Sequence, residues 1–153
     1  MIDERDFRKS WSFFPTGVSI LAVRNEQNNI HGMTASSIMS ISLDPPIIMV
    51  SIGVERSILK NIENSDFVSV SLLSNEQSDI ATFFSKSNNS ENNFFENDKE
   101  AFYIKECLCY FFCKKSNSIK IGDHIVYFLE VEKIEFKEKP PLVWFKGKFE
   151  NSL

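Results

Sequence analysis

HGMTASSIMSISLDPP, residues 31–46, is the stretch on which the reading of this chain turns. It sets Thr34, Ser36, Ser37 and Ser40 into a run that otherwise alternates apolar and polar residues, and it closes on the stiff corner Asp44-Pro45-Pro46. Alternation with period two is a strand signature, and hydroxyl residues between strands are ordinary turn chemistry. Small hydroxyls on an ordered turn also donate hydrogen bonds to a phosphate without bulky side chains blocking its approach. The rest of the chain decides whether these hydroxyls make a plain turn or a ligand cradle.

Upstream, residues 3–14 carry Phe7, Trp11 and Phe14 at the i, i+4, i+7 spacing of a short amphipathic helix, which Pro15 and Gly17 end. Residues 18–23 read as a buried strand and 24–29 as a polar hairpin loop, which leaves His31 as a solvent-exposed turn residue. Downstream, the apolar run 47–52 predicts a strand at the centre of a sheet covered on both faces. Ser57 is placed to cap a short helix with Ile58, Leu59 and Ile62 facing inward, and Arg56 before it either offers charge to a phosphate or is simply solvated, and is not counted among the site residues. A strand over 66–73 leads to Ser74-Asn75-Glu76-Gln77, the form of a capping box, and a helix to Phe84.

Residues 85–100 are polar and Asn-rich, predicting a surface loop. After it, 102–113 reads as one strand, 114–120 as a hairpin loop and 123–136 as a long strand. The inward period of that last strand shifts between Val131 and Ile134, which marks a β-bulge. Pro140 and Pro141 precede a final apolar run at 142–145 and a turn at Gly147.

A length of 153 residues suits one domain over 1–153, and 42% hydrophobic residues with 15 Phe supply a real core. The net charge of −4 gives no basic footprint for nucleic acid. Cys107, Cys109 and Cys113 lack a fourth metal ligand and a C-x2-C spacing, so they are expected to be free thiols on one strand face, with no metal, in a reducing cytoplasm. The charged start MIDERDFRKS has no signal-peptide pattern, and no apolar run reaches membrane-spanning length, so no membrane association is expected. Six or seven strands, two or three short helices, no βαβ alternation and no G-x-G-x-x-G predict a mainly β (α+β) chain. The architecture expected is an antiparallel barrel with short peripheral helices, in which a nicotinamide cofactor would not sit on a Rossmann motif.

Five landmarks in order resemble the flavin reductase-like family, whose members have an FMN-binding split β-barrel. They are Phe14-Pro15-Thr16-Gly17-Val18, then Gly32-Met33-Thr34-Ala35-Ser36-Ser37 running on to Ser42-Leu43-Asp44-Pro45-Pro46, then Phe67-Val68-Ser69-Val70 with Leu73-Ser74 and Gln77. Gly122-Asp123-His124 and Pro141-Leu142-Val143-Trp144 with Gly147 complete the set. The resemblance implies that Thr34, Ala35, Ser36 and Ser37 hold the flavin phosphate and ribityl chain, and that Ser51, Ser57 and Phe84 line the flavin pocket. It implies that His124 sits beside the nicotinamide and flavin rings, as the residue that carries chemistry. The expected activity is an NAD(P)H:flavin oxidoreductase using FMN or FAD, acting as a homodimer and serving a flavin-dependent monooxygenase. The family often has glycine where this chain has Leu129, and the Asn-rich stretch before the cysteines is unlike the usual Gly- and Pro-containing one. These departures predict altered nicotinamide access and raise a second reading, a flavin-binding carrier, sensor or partner subunit without efficient NAD(P)H oxidation.

Overall fold

In the computed structural model, which describes residues 2–86 and 92–150, the chain begins with helix α1 (Glu4–Trp11). Asp3 caps it, its carboxylate accepting the Arg5 N–H at 2.7 Å. A short strand β1 (Thr16–Gly17) precedes β2 (Ser19–Arg24), and a turn with Asn28 at φ 65° returns the chain as β3 (Ile30–Ala35). β4 (Ile38–Leu43) and β5 (Pro46–Gly53) follow, joined through a cis Asp44–Pro45 peptide. Helix α2 (Leu59–Glu63), strand β6 (Phe67–Leu72) and helix α3 (Ser78–Ser85) complete the first half. The second half is β7 (Phe95–Asp98), β8 (Ala101–Ile104), the long hairpin β9 (Cys109–Ile121) and β10 (His124–Phe136), then β11 (Val143–Phe145) and β12 (Lys148–Glu150).

Seven strands form one antiparallel sheet in the order β3-β2-β6-β9-β10-β5-β4. Its two edge strands, β3 and β4, are consecutive in the chain with only Ser36 and Ser37 between them. Three Cα–Cα steps of 3.8 Å span at most about 11 Å, so the sheet must roll until its edges nearly meet. The result is an antiparallel barrel split along one seam, and the seam is where the hydroxyl run lies. β1, β11 and β12 make a separate three-stranded sheet, and β7 pairs with β8.

Alternation in β2 sends Leu21 and Val23 to one side and Ile20 and Ala22 to the other, and each side has its own core. Inside the barrel, Leu21 and Val23 meet Ile48, Val50, Ile52, Val68, Val70, Tyr127 and Leu129, with Ile58 and Ile62 of the α2 region closing one end. Outside, Ile20 and Ala22 pack with Phe84 of α3 and with Phe95, Phe102 and Ile104 of the β7–β8 hairpin. The strands covered on both faces are therefore β2 and β6, and the middle of the sheet is β9. The run 47–52, expected at the centre, is next to an edge instead. Its alternate residues Ile47, Met49 and Ser51 remain half exposed because no layer of this chain covers them.

Several local expectations change. Residues 92–98 are a 3-10 turn and strand β7 rather than surface loop, because Phe95 is buried and Phe94 packs on Phe83 and Phe84, with ring centroids 5.1 and 5.7 Å apart. The 87–91 part of that predicted loop lies outside the described residues. The stretch 102–113 breaks into β8 and β9 at Glu106, which takes φ 54°, so Cys107 precedes the strand. Cys107 joins the outer core and Cys113 the inner one, so the three free thiols do not share a face. Residues 114–120 are ladder, not loop: β9 and β10 pair up to Ile121 and His124, and the turn is Gly122-Asp123 alone. Gly122 at φ 60° is the first central residue of a two-residue hairpin of the II′ kind. His31 is a half-buried residue of β3, not a turn residue, and Ser57 makes no cap to α2, whose N-cap is Ile58. The capping box at Ser74 and Gln77 is present, with the Ser74 N–H donating to Gln77 Oε1 at 3.0 Å. The bulge in β10 falls between Val131 and Lys133.

Candidate active site

Three clefts of about 290, 260 and 160 Å³ converge on the seam, and Met33 and Arg56 line all of them. The smallest gathers Thr34, Ala35, Ser36, Ser37, Ser51 and His124 from β3, the seam, β5 and the start of β10. Ser57 and Phe84 line the adjoining cleft with His31, Gly32 and Glu55, while Val18, Trp144 and Phe149 supply an apolar wall to the third. All eight residues picked from the sequence thus line two neighbouring clefts. Ser40, the fourth hydroxyl of the run, lies on exposed β4 and lines none of them.

Strand pairing positions these groups. The Ser51 N–H donates to the Ser37 carbonyl at 3.0 Å, tying the seam to β5. Gly53 opposes His124, and Ser51 opposes Val126, so β5 and β10 bring Ser51 and His124 to one sheet face. Thr34 Oγ1 donates to the Ala81 carbonyl at 2.6 Å, which spends its hydrogen on anchoring β3 to α3; Ser36 and Ser37 are the seam's remaining hydroxyls. Phe84 is a support more than a wall: only 1% exposed, it lies under Gly32, where a Cβ would come within 2.7 Å of two ring carbons.

The imidazole of His124 is half exposed, and its Nδ1 lies 2.8 Å from Asp123 Oδ1. That hydrogen bond, with a smaller charge contribution from Arg8, holds the Asp123 carboxyl below its ordinary range. An ionised carboxylate only accepts, so Nδ1 carries the hydrogen and Nε2 is the nitrogen left for a ligand. Leu129 does not reach any of the three clefts. It is completely buried in the barrel core beside Ile48, on the sheet face opposite to His124.

Residues that sequence reasoning passed over are Arg56, Met33, Gly32 and Trp144. Of these Arg56 had a signal, its place between the end of a strand and Ser57, but only the rolled sheet brings it to Ser36. Among the described residues, no group of three or more His, Cys, Asp and Glu could hold a metal, and no helix is long and apolar enough to cross a membrane.

The donor set suits a flat cofactor with an anionic tail. Seam hydroxyls and a guanidinium would suit the tail and an apolar wall the rings, and the smallest cleft has no carboxylate in its lining. Such a seam on such a barrel fits the split-barrel flavin proteins that the sequence landmarks resemble. Comparison with known sequences narrows this further: residues 11–152 match the flavin reductase like domain, and the chain belongs to that family. A relative from Pseudomonas fluorescens, the NADH-dependent flavin reductase StyB, is 29% identical over 97% of this chain and 89% of its own length. The reductase component of 4-hydroxyphenylacetate 3-monooxygenase from Thermus thermophilus is 29% identical over 92% of this chain and 91% of its own. Among solved structures, the flavin reductase PheA2 superposes with a TM-score of 0.89 at 33% identity, covering 97% of both chains.

Proposed function

We propose that this chain is an NAD(P)H-dependent flavin reductase that moves a hydride from a reduced nicotinamide to FMN or FAD and supplies reduced flavin to a partner monooxygenase. The observation that carries this reading is the gathering of Ser36, Ser37, Ser51 and His124 into one cleft at the barrel seam. When bound, flavin supplies the electron-accepting ring system. The protein's part is orientation. Ser36 and Ser37 hold the phosphate and ribityl chain, Ser51 and the Thr34–Ala35 backbone border the flavin, and Phe84 fixes the cleft floor through Gly32. His124, held by Asp123 with its hydrogen on Nδ1, presents Nε2 to position the nicotinamide or to hold a proton near the rings. Because Leu129 faces the core, it lends no support to a non-reducing flavin carrier, which is left with the Asn-rich stretch before the cysteines as its one departure.

A homodimer completes this reading. On the face that carries His124 and Ser51 lie Met39, Ile119 and Ile121, 53%, 51% and 59% exposed, with half-buried Met49 and Phe128 beside them. Helix α1 and the turn after it add Phe7, Trp11 and Phe14, all more than half exposed, and Arg8 of the helix reaches the field of Asp123. This many exposed large apolar side chains on one protein point to a covered face. A second copy seated there would shield the His124 side of the cleft from water. The three free thiols suit a reducing compartment and hence the cytoplasm.

The test is anaerobic stopped-flow absorbance at the flavin band after mixing FMN-loaded protein with NADH and, separately, NADPH. Rapid bleaching with either is expected and identifies the donor. Flavin that stays oxidised with both would refute the reductase reading.

A further inference from the structure

We infer that Glu55 and Arg56 form an adjustable charge pair that sets how tightly the flavin 5′-phosphate is held, with Glu55 keeping the flavin exchangeable. This deepens the flavin-reductase reading and rests on it.

Arg56 lines all three clefts at the seam and shares two of them with Ser36. In the 260 Å³ cleft it is the only ionisable lining residue, and in the 160 Å³ cleft it is joined only by His124. A phosphate seated on the seam hydroxyls would share its cleft with this guanidinium. The adjoining residue opposes it. Glu55 Oε1 lies 3.5 Å from Arg56 Nε, and the carboxylate folds back over Gly53. There a Cβ would come within 2.8 and 2.9 Å of the two carboxylate oxygens, so the missing side chain of Gly53 makes the room in which Glu55 lies. Gly53 is also the residue opposite His124. The negative charge therefore rests at the solvent-exposed rim of the cleft, beside Arg56.

The pair is not built for stability. Its side chains are 52% and 70% exposed, and an exposed ion pair of that kind contributes little to folding. What it changes is the guanidinium. Glu55 approaches at Nε, so a phosphate would take the Nη donors of the fork. A bound phosphate must share Arg56 with Glu55, and the carboxylate charge opposes the incoming one. The outcome is a phosphate site with a cation in it whose grip is deliberately weak, which suits a flavin that arrives oxidised and leaves reduced.

The experiment is a double-mutant cycle on the full chain, reading dissociation constants for FMN and for riboflavin by quenching of flavin fluorescence. Both residues are on the surface, so unchanged melting temperatures are expected for every variant. Glu55→Gln is expected to tighten FMN binding about three- to tenfold and to slow FMN release, with riboflavin unchanged because it has no phosphate. Arg56→Gln is expected to weaken FMN about tenfold or more, again sparing riboflavin. In the Arg56→Gln background the Glu55→Gln gain should vanish. FMN and riboflavin moving together, an FMN affinity that Glu55→Gln leaves unchanged, or an Arg56→Gln effect confined to the KM for NADH would each overturn the proposal. Protein that binds FMN but fails to oxidise NADH and NADPH would remove the reductase reading while the same cycle still decides the charge pair. Protein that binds neither flavin would remove both.

Discussion

Replacing His124 by alanine removes the imidazole that Asp123 orients, while Ser36, Ser37 and Arg56 remain to hold a phosphate. Turnover with NADH should fall by about a hundredfold, within the range of a lost positioned acid or base, and FMN affinity should move by less than about twofold. Stopped-flow reduction and flavin titration separate the two effects. Cysteine chemistry offers an independent check. Burial pushes the Cys107 thiol up to about 11 and Cys113 up to about 12, so neither is a thiolate near neutrality. Timed labelling with an aromatic disulfide reagent at pH 8 should modify Cys109 first, and Cys107 and Cys113 only on unfolding; fast labelling of all three would contradict the burial. At this scale the sequence was legible where chemistry is unusual, as in the hydroxyl run and the lone Gly-Asp-His. It was ambiguous at Arg56, because an arginine before a short helix can meet a phosphate or stand simply solvated, and only the rolled sheet brings it into one cleft with Ser36. Thr34 shows the converse, a hydroxyl in the right place whose hydrogen is spent on Ala81.

Gly32 shows how two elements depend on one missing side chain. The Phe84 ring of α3 occupies the space over β3 where a Cβ would stand, at 2.7 Å from two ring atoms. Gly32→Ala should therefore push α3 away, cost about 1–3 kcal/mol as overpacking does, and weaken flavin binding by distorting the same cleft. Thermal unfolding and FMN titration check this, and an unchanged melting temperature would show that Phe84 yields freely. Elements whose pattern is local were readable: the capping box at Ser74, the bulge after Val131 and the strands β2, β5 and β6. Those decided by distant partners were not. KKSNSIK, residues 114–120, is polar but for Ile119 and reads as a loop; it is strand because β10 lies beside it and supplies the ladder. The Asn-rich stretch hid β7 because two phenylalanines among polar residues give no period, although Phe95 is buried against Phe84, with ring centroids 5.7 Å apart.

For the whole molecule, the exposed face around Met39, Ile41 and Ile121 predicts the state of assembly. Ile41 is 43% exposed on edge strand β4, so Ile41→Lys should leave the fold intact and convert a dimer to monomer, with lower reductase activity as the His124 side opens to water. Light scattering after gel filtration reads the mass, and a wild-type monomer at micromolar concentration would refute the dimer. The barrel itself was legible from strand count and the absence of βαβ units, whereas its closure was not, because nothing local says that β3 and β4 end up as opposite edges. The same closure dictates an order of assembly. The hairpins β2–β3, β4–β5 and β9–β10 need only neighbouring residues, but β6 must be in place between β2 and β9 before the two wings can face each other. Residues 36 and 37 are made early and find their final surroundings late. A chain emerging from the ribosome has the hydroxyls proposed to hold the phosphate long before it has anywhere to put a flavin, so quenching of flavin fluorescence should be among the last signals of refolding to recover.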